Sequence, residues 1–369
     1  MRVALVTEYY HPHLGGVTEH VQALQRQLVR RGHEALVVTA NMRGQDPSET
    51  GVRRVGRSQV VFSNGSFARI TLGWRLRSRL EELFLEERMD IVHVHGPLAP
   101  VLGLVAQSAA DRLGIPVVGT FHSWFPRSAS CRIFRGPLQR RLSSMAARIA
   151  VSPSVIEAHD RYFEADFEVI PNGVDIRYFH PNGRPPGPLG PEDPPRLLFL
   201  GRLDPRNGLE TLLEAMPRVA RHYPDAVLTV VGDGPLRAHY ERLAAPLGSS
   251  VRFVGRIYRE RPDYYGGTDL YLAPTRRASF GITLLEAMAC GAPVLAADLD
   301  GHRFVMGESG AGRLLQPDQP ASWADAIVDL LSNVPQRARM RGRALERASA
   351  FAWSGVAERV LETYRRVAR

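Results

Sequence analysis

Short apolar runs alternate along the chain with longer segments in which apolar residues recur at helical spacing. In these runs apolar and polar residues do not alternate, as they would in a strand with one solvent-exposed face. The runs therefore predict parallel strands that are buried on both faces. Five predicted strands in the first half lie at residues 3–6, 35–39, 91–94, 117–120 and 149–151. Five in the second half lie at 197–201, 226–231, 251–254, 270–273 and 294–296. Apolar strands joined by amphipathic helices favour right-handed crossovers, and therefore an α/β fold of two Rossmann-like doubly wound domains facing a central cleft.

A stretch rich in proline and glycine, at 181–195, separates the two sets of predicted strands. This composition cannot continue a helix or a central strand, and it is typical of an extended linker. We therefore predict an N-terminal domain at 1–175, a linker at 176–195 and a C-terminal domain at 196–351. The final segment, 352–369, has the apolar spacing of an amphipathic helix.

Composition narrows the class of protein. The length of 369 residues suits two domains, and 44% hydrophobic with 23% charged residues is ordinary for a soluble globular chain. The net charge is +9, and all 47 basic residues are arginine. A basic chain suits anionic partners such as sugar nucleotides or acidic lipid headgroups, and no nucleic-acid-binding module is found among the arginines.

The predicted location is the cytoplasm. The chain has two cysteines, Cys131 and Cys290, which cannot form a disulfide framework and have no metal-ligand spacing. No apolar run approaches the roughly 18 residues of a membrane span, and residues 1–7 resemble a buried strand rather than a signal peptide.

Candidate chemistry lies where predicted strands end. Gly15 and Gly16 open the first helix, where backbone amides can meet an anion, although many such turns bind nothing. The dinucleotide pattern G-x-G-x-x-G does not occur there, which argues against a nicotinamide enzyme. His122 ends the strand at 117–120, so its imidazole is a candidate for orienting or stabilising a substrate, although a lone histidine is more often structural.

In the second half, Arg202 follows the strand at 197–201, where a guanidinium could neutralise a diphosphate. Residues 279–282 should present backbone N–H groups at a helix start. Glu286 is costly to bury in that apolar helix without partners, which favours a functional role. Asp298 and Asp300 form a D-x-D pattern, which we interpret as helix capping or lining of a sugar site rather than as a metal site.

These motifs, in this order over nearly the whole chain, resemble the retaining glycosyltransferases of family 4, and most closely the phosphatidylinositol mannosyltransferases. The resemblance implies a GT-B fold, with the last helix packed back on the first domain. It also implies hexose transfer from a nucleotide sugar, favouring GDP-mannose, to a lipid-linked or polyol-phosphate acceptor. No metal and no cofactor are expected.

The resemblance also implies roles for individual residues. The catalytic residues are His122 and Arg202. The donor-binding residues are Gly16, Gly201, Arg206, Gly234, Ser279, Phe280, Gly281, Ile282 and Glu286, the last on the ribose. The acceptor-binding residues are Tyr9, Gly15, Asn64, Ser66 and Arg69, unless 64–69 is an ordinary polar turn.

Two positions depart from the family pattern. Asn207 stands where the family has a lysine on the diphosphate, and Ala278 stands where it has a glutamate that orients the sugar. Arg206, Arg276 and Arg277 are candidates to restore the lost charge. The alternatives are a catalytically impaired relative that binds a nucleotide sugar or a protein partner, and a nucleotide-sugar epimerase.

The segment 71–80 interleaves three arginines with leucines and Trp74. It is predicted to be a basic helix on an anionic membrane surface, which would make the enzyme peripheral at the inner face of the plasma membrane. Alternatively, Leu76, Leu80 and Leu83 face the sheet as in an ordinary domain helix.

Overall fold

The computed structural model describes residues 1–13, 15–63, 66–99, 101–181 and 194–368, with side chains for all of these except 62, 63 and 66–68. The chain divides into two compact units. One comprises Met1–Gly173 with Trp353–Arg369, and the other comprises Val174–Ala352. Residues 176–181, expected in the linker, belong to the second unit, where the Tyr178 hydroxyl donates to the carbonyl of Arg259 at 2.9 Å. Most of the predicted linker lies outside the described residues.

The first unit contains one sheet of eight strands, in the order β4-β3-β2-β1-β5-β6-β7-β8. The strands are β1 Arg2–Thr7, β2 Glu34–Asn41, β3 Val52–Ser63, β4 Ser66–Leu72, β5 Ile91–His95, β6 Val117–Phe121, β7 Ala147–Ala150 and β8 Glu168–Val169. All neighbouring pairs are parallel except β3 with β4. The five predicted strands are confirmed, whereas β3, β4 and β8 were missed. The hairpin of β3 and β4 lies at the edge of the sheet, where a strand exposes one side to solvent and therefore lacks a continuous apolar run.

Helices surround this sheet. They are α1 Gly16–Arg30, α2 Leu76–Glu86, α3 Leu102–Leu113, α4 Ala129–Ile133, α5 Arg135–Ser143, α6 Pro153–Asp160 and, from the end of the chain, α14 Trp353–Val367. The apolar face of α14 is buried with β1 in one core, through Val356, Val360, Leu361 and Tyr364.

The prediction of a helix over 71–80 is wrong at its start. Thr71 and Leu72 end β4, and α2 begins only at Leu76. The buried face of α2 consists of Leu76, Leu80 and Phe84. The expectation was therefore correct for Leu76 and Leu80, whereas the third buried residue is Phe84 and not Leu83. Trp74 precedes the helix and is 83% exposed. The alternative of an ordinary domain helix therefore explains Leu76 and Leu80, which are buried. It does not explain Trp74, which lies outside the core.

The second unit contains a six-stranded parallel sheet in the order β11-β10-β9-β12-β13-β14. The strands are β9 Arg196–Leu200, β10 Val227–Val231, β11 Val251–Gly255, β12 Leu270–Ala273, β13 Val294–Ala297 and β14 Gly312–Leu315. The five predicted strands are confirmed. The edge strand β14 was missed because its residues are only partly buried.

The helices of the second unit are α7 Leu209–His222, α8 Arg237–Ala244, α9 Arg261–Gly266, α10 Ile282–Ala289, α11 Asp300–Met306, α12 Pro320–Ser332 and α13 Val334–Ser349. The strand order reverses direction between β9 and β12. In doubly wound sheets a ligand binds beyond the carboxyl ends of the strands at this switch point. The loops after β9 and β12 are therefore where a site is expected in this unit.

Candidate functional site

Three loops meet at the carboxyl edge of the second sheet. They follow β9, β10 and β12. A Cβ atom on Gly232 would lie 1.8 Å from the carbonyl oxygen of Gly201, and one on Gly208 would lie 2.1 Å from that of Pro274. Only glycine allows these backbones to approach so closely. The glycines therefore hold the loops together around the switch point.

Arg202 and Arg206 converge on one carboxylate in the loop after β9. Nη2 of Arg206 lies 2.9 Å from Oδ2 of Asp204, and Nε of Arg202 lies 3.7 Å from the same oxygen. Asp204 is buried, whereas both arginine side chains are about half exposed, at 49% and 50%. Two guanidinium groups face one carboxylate, so the loop carries a net positive charge and retains donors for a further anion.

Asn207 and Arg276 stabilise this loop. The Asn207 side-chain amide donates to the carbonyl of Arg202 at 2.7 Å. The backbone N–H of Arg276 donates to the carbonyl of Arg206 at 2.7 Å. The Arg276 guanidinium pairs with Asp318 at 2.6 Å and with Glu210 at 3.3 Å. Two carboxylates therefore share the Arg276 guanidinium, and its suggested role as the replacement charge stays a prediction.

The helix tip after β12 has the predicted form. Gly281, with φ of 114°, is the N-cap of α10, whose first residue is Ile282. The Phe280 side chain is buried, and its ring lies 6.1 Å from that of Phe304 and 5.9 Å from that of Phe351, between centroids. Phe280 therefore anchors the loop in the core, and anion binding by the backbone N–H groups at this helix start stays a prediction.

Gly234 lies in the turn after β10, where its backbone N–H donates to the Asp233 carboxylate at 2.8 Å. Asp298 and Asp300, the residues of the D-x-D pattern, both pair with Arg303. The Asp298 pair is bidentate, at 2.6 and 2.7 Å. These carboxylates therefore stabilise the first turns of α11.

Glu286 is 2% exposed, and protein groups bind both of its oxygens. Nη1 of Arg261 donates to Oε1 at 2.8 Å, and the Tyr265 hydroxyl donates to Oε2 at 2.9 Å. Burial, followed by the charge of Glu286, holds the pKa of Tyr265 well above its usual range. The sequence correctly indicated that this carboxylate needs partners. It did not indicate which residues they are, because both lie on α9, more than 20 residues earlier in the chain. The ribose role of Glu286 stays a prediction.

In the first unit the half-buried His122 belongs to a cluster of four histidines, of which the other three are buried. The others are His20 on α1 and His93 and His95 on β5. Nδ1 of His95 lies 3.1 Å from Nε2 of His122, within a hydrogen bond. Burial lowers the pKa of His20 to about 4 and that of His93 to about 3, and it lowers the pKa of His95 and His122 well below the usual value. All four imidazoles are therefore neutral at pH 7.

His93 connects the cluster to the last helix. Its Nδ1 lies 2.6 Å from the Tyr364 hydroxyl, and its Nε2 lies 2.6 Å from Oγ1 of Thr120. Sequence reasoning missed His20, His93 and His95. A signal for two of them was present in the sequence. His93 and His95 occupy alternate positions near the carboxyl end of β5, the strand that neighbours β6, which His122 follows.

Three of these rings could hold a metal ion. Ligand nitrogens of His20, His95 and His122 all lie within 4.8 Å of one another. Bonds of about 2.0–2.1 Å to a tetrahedral Zn²⁺ place ligand nitrogens roughly 3.3 Å apart, so the rings would have to move inward. The prediction that the protein needs no metal stays a prediction.

The residues predicted for the acceptor are partly brought together. The backbone N–H of Arg69 donates to the Tyr9 hydroxyl at 3.3 Å, and the Arg69 guanidinium donates to Ser58 at 3.2 Å. Gly15 is the N-cap of α1 and Gly16 is its first residue. Asn64 lies outside the described residues. Ser66 begins β4, with no description of its side chain.

A buried carboxylate that the sequence did not single out lies beside this region. Glu8 accepts hydrogen bonds from the hydroxyl of Thr71 at 2.5 Å and from the N–H groups of Val101 and Leu102 at 2.9 and 2.6 Å. Burial raises its pKa. Glu8 therefore ties the start of α3 to β4.

Comparison with known proteins identifies relatives over the whole chain. The model described as Glycosyltransferase Family 4 matches residues 14–178, and the model described as Glycosyl transferases group 1 matches residues 194–333. The phosphatidyl-myo-inositol mannosyltransferase of Propionibacterium freudenreichii is 35% identical over 99% of this chain and 94% of its own. The enzyme of that name from Mycolicibacterium smegmatis is 33% identical over 100% of this chain and 94% of its own.

A solved structure has the same fold. Anabaena HepE, in complex with UDP and glucose, superposes with a TM-score of 0.76 at 20% identity. The match covers 98% of this chain and 99% of that protein.

Proposed function

The chain belongs to family 4 of the glycosyltransferases and has their GT-B fold, and from this we propose a specific reaction for it. The protein transfers a hexose, with retention of configuration and without a metal, from a nucleotide sugar to a lipid-linked or polyol-phosphate acceptor. Mannose from GDP-mannose is the favoured donor. The names of its relatives in Propionibacterium and Mycolicibacterium support this choice of sugar and acceptor. The epimerase alternative is set aside because the family is one of transferases.

The observation that carries the proposal is the pair of guanidinium groups on Asp204. Arg202 and Arg206 both reach this carboxylate at the switch point, and both remain half exposed. A donor diphosphate placed there meets two positive charges, as it would with the arginine and lysine of the family. Arg206 therefore compensates for Asn207, and the site keeps its capacity to stabilise a leaving diphosphate.

The chemistry follows from these groups. The bond between the anomeric carbon and the diphosphate oxygen breaks, and the acceptor oxygen bonds to that carbon on the same face. The acceptor oxygen is the nucleophile and its proton passes to the departing diphosphate, so no protein side chain needs to act as nucleophile or as base. Arg202, Arg206 and the amides at the tip of α10 stabilise the charge that develops on the leaving group.

His122 orients the sugar and the acceptor in this scheme. Its Nε2 is engaged by His95, which leaves Nδ1 as the nitrogen that meets the substrate. Its depressed pKa keeps it neutral, so it acts by hydrogen bonding and adds no charge.

The acceptor is proposed to bind the first unit from an anionic membrane surface. Tyr9 and Arg69 lie together, with the guanidinium available for bidentate contact to a phosphate. Nearby in sequence, Trp74 is 83% exposed and Leu72 is 50% exposed, between the arginines of β4 and α2. In the part of the chain that the structure describes, no helix is both long and apolar enough to cross a membrane. The exposed Trp74 and Leu72 beside these arginines favour a peripheral enzyme at the inner face of the plasma membrane.

One observation favours the alternative of a catalytically impaired relative. Arg261 and Tyr265 occupy both oxygens of Glu286, so a ribose must share or displace them. Together with Ala278, this would weaken the donor site.

The test is a transfer assay with purified protein, GDP-mannose or UDP-glucose, and vesicles that contain phosphatidylinositol. We expect nucleotide release coupled to formation of a glycolipid of retained configuration, at a rate that EDTA does not change. Product configuration is read by NMR. Binding of nucleotide sugar with no nucleotide release, across donors and acceptor extracts, would establish the impaired relative instead.

A further inference from the structure

A buried histidine beside the donor loops has no part in the scheme above. His302 lies in the first turn of α11 and is 1% exposed. Its Nδ1 lies 2.8 Å from the carbonyl oxygen of Ala297. A carbonyl can only accept, so Nδ1 must carry the proton. Burial lowers the pKa of His302 to about 4, which keeps the ring neutral at pH 7. Nε2 is therefore unprotonated and is a hydrogen-bond acceptor.

The acceptor edge of this ring lies at the tip of α10. A methyl group added to Gly281 would stand 3.0 Å from Cδ2 of His302 and 3.5 Å from Nε2. Among the residues that the structure describes, the hydrogen bonds of this ring are limited to Nδ1. The lone pair of Nε2 thus lies beside the N-cap glycine, and no donor within the described parts of the chain satisfies it.

Backbone contacts hold the imidazole in this place. A Cβ atom on Gly301 would lie 2.8 Å from the carbonyl oxygen of Ala278 and 2.8 Å from the nitrogen of Phe280. The start of α11 is therefore packed directly on the loop that carries Ala278. The methyl group of Ala278 can accept nothing, so His302 supplies an acceptor at a loop that has none at that position.

We propose that Nε2 of His302 accepts a hydrogen bond from a hydroxyl group of the transferred sugar. The inference rests on the proposed function, because it takes the tip of α10 as the diphosphate site. The sugar is bonded to that diphosphate, so an acceptor beside the helix tip meets a sugar hydroxyl. A neutral imidazole thus takes the place that a carboxylate at 278 would fill, and it makes the enzyme select sugars with a hydroxyl at this point.

The test distinguishes the contribution of the sugar to binding from that of the nucleotide. Dissociation constants for GDP and GDP-mannose, and for UDP and UDP-glucose, are measured by calorimetry on the full chain. His302→Phe keeps a ring of similar shape and removes the acceptor. Loss of one neutral hydrogen bond should weaken binding of the preferred nucleotide sugar about 3- to 10-fold and leave binding of its nucleoside diphosphate unchanged. His302→Gln, which retains an acceptor, should lose less.

The matched control is His159→Phe, which also replaces a buried histidine whose Nδ1 bonds a backbone carbonyl, that of Val155 at 2.7 Å. It should change neither constant. Ala278→Glu in the His302→Phe background should restore nucleotide-sugar affinity. A second measurement needs no variant: in protein labelled with ¹⁵N-histidine, the Nε2 resonance of His302 should shift with nucleotide sugar but not with nucleoside diphosphate.

The inference is overturned if His302→Phe binds nucleotide sugar as tightly as the wild type, or if it loses both affinities equally. An Nε2 resonance that does not respond to nucleotide sugar overturns it as well. Failure of the proposed function looks different, because the wild-type protein would then either bind no nucleotide or bind nucleotide sugar and release no nucleotide in the transfer assay.

Discussion

The imidazoles of His95 and His122 share a hydrogen bond, with 3.1 Å between Nδ1 of His95 and Nε2 of His122. Both rings have a lowered pKa and are neutral at pH 7, so one of these nitrogens donates and the other accepts. The bond fixes the orientation of the His122 ring, and with it the nitrogen, Nδ1, that is left for the proposed contact with substrate. His95 is thus a positioning residue for the predicted catalytic histidine.

Replacement of His95 by phenylalanine should lower kcat about tenfold and leave the KM for the nucleotide sugar nearly unchanged, because orientation is lost while donor contacts remain. Steady-state kinetics measure both constants. His159→Phe is the control for replacing a buried histidine by phenylalanine. A fall in kcat no larger than that of the control would show that His122 does not depend on His95.

Arg206→Ala should weaken binding of nucleoside diphosphate about 10- to 100-fold, because it removes a charge-assisted contact to the diphosphate. Calorimetry with GDP and UDP gives the constants. The control is Arg237→Ala, an arginine of the same unit that pairs with Glu241 at the surface. Asn207→Lys should tighten binding by adding the family's charge. Unchanged affinity in Arg206→Ala would contradict compensation of Asn207 by Arg206.

Arg261→Met should destabilise the protein by about 3–5 kcal/mol, because it removes the positive charge that faces the buried carboxylate of Glu286. Urea denaturation measures the change. Arg261→Met with Glu286→Gln should recover part of the loss, since no buried charge is then left without its partner. A loss below about 1 kcal/mol in the single variant would mean that the pair contributes little to stability.

On acidification, the fold should begin to lose stability at pH values well above those at which most carboxylates titrate. Burial lowers the pKa of His20 and His302 to about 4 and that of His93 to about 3, from 6.5 when unfolded. Between pH 6.5 and 4 the unfolded chain binds more protons, so the free energy of unfolding falls as the pH falls. Each histidine contributes up to about 1.4 kcal/mol per pH unit.

Urea denaturation at pH 7.5, 6 and 5 measures this dependence. Glu8 and Asp269, whose pKa values burial raises, act in the opposite direction, because the folded protein takes up their protons first. The His302→Phe variant should show a shallower dependence than the wild type. A free energy of unfolding that is flat between pH 7.5 and 5 would contradict neutral burial of these rings.

Binding to anionic vesicles should depend on the segment before α2. Trp74→Ala should weaken binding to vesicles of phosphatidylinositol and phosphatidylcholine, because it removes an exposed aromatic anchor. Arg75→Ala should weaken it about fivefold by loss of one charge near the surface. Vesicle cosedimentation measures both, with Val334→Ala as a control at an exposed apolar residue of the other unit. Equal binding by all variants would place the membrane contact elsewhere.

The sequence by itself determined the central parallel strands of the two sheets and the positions of Arg202 and His122 at strand ends. It could do so because strands buried on both faces carry continuous apolar runs, and function in such folds lies where those runs stop. It did not reveal β3, β4, β8 and β14, since partly exposed edge strands have a weaker pattern.

Only the tertiary structure decided which of several similar residues act together. Arg206 and Arg276 carry the same charge in neighbouring motifs, yet Arg276 is neutralised by Asp318 and Glu210, while Arg206 lies beside Arg202. His302 likewise reaches Gly281 only because Gly301 brings α11 onto the Ala278 loop. Such contacts join residues far apart in the chain, so packing of the loops, rather than local spacing, sets them.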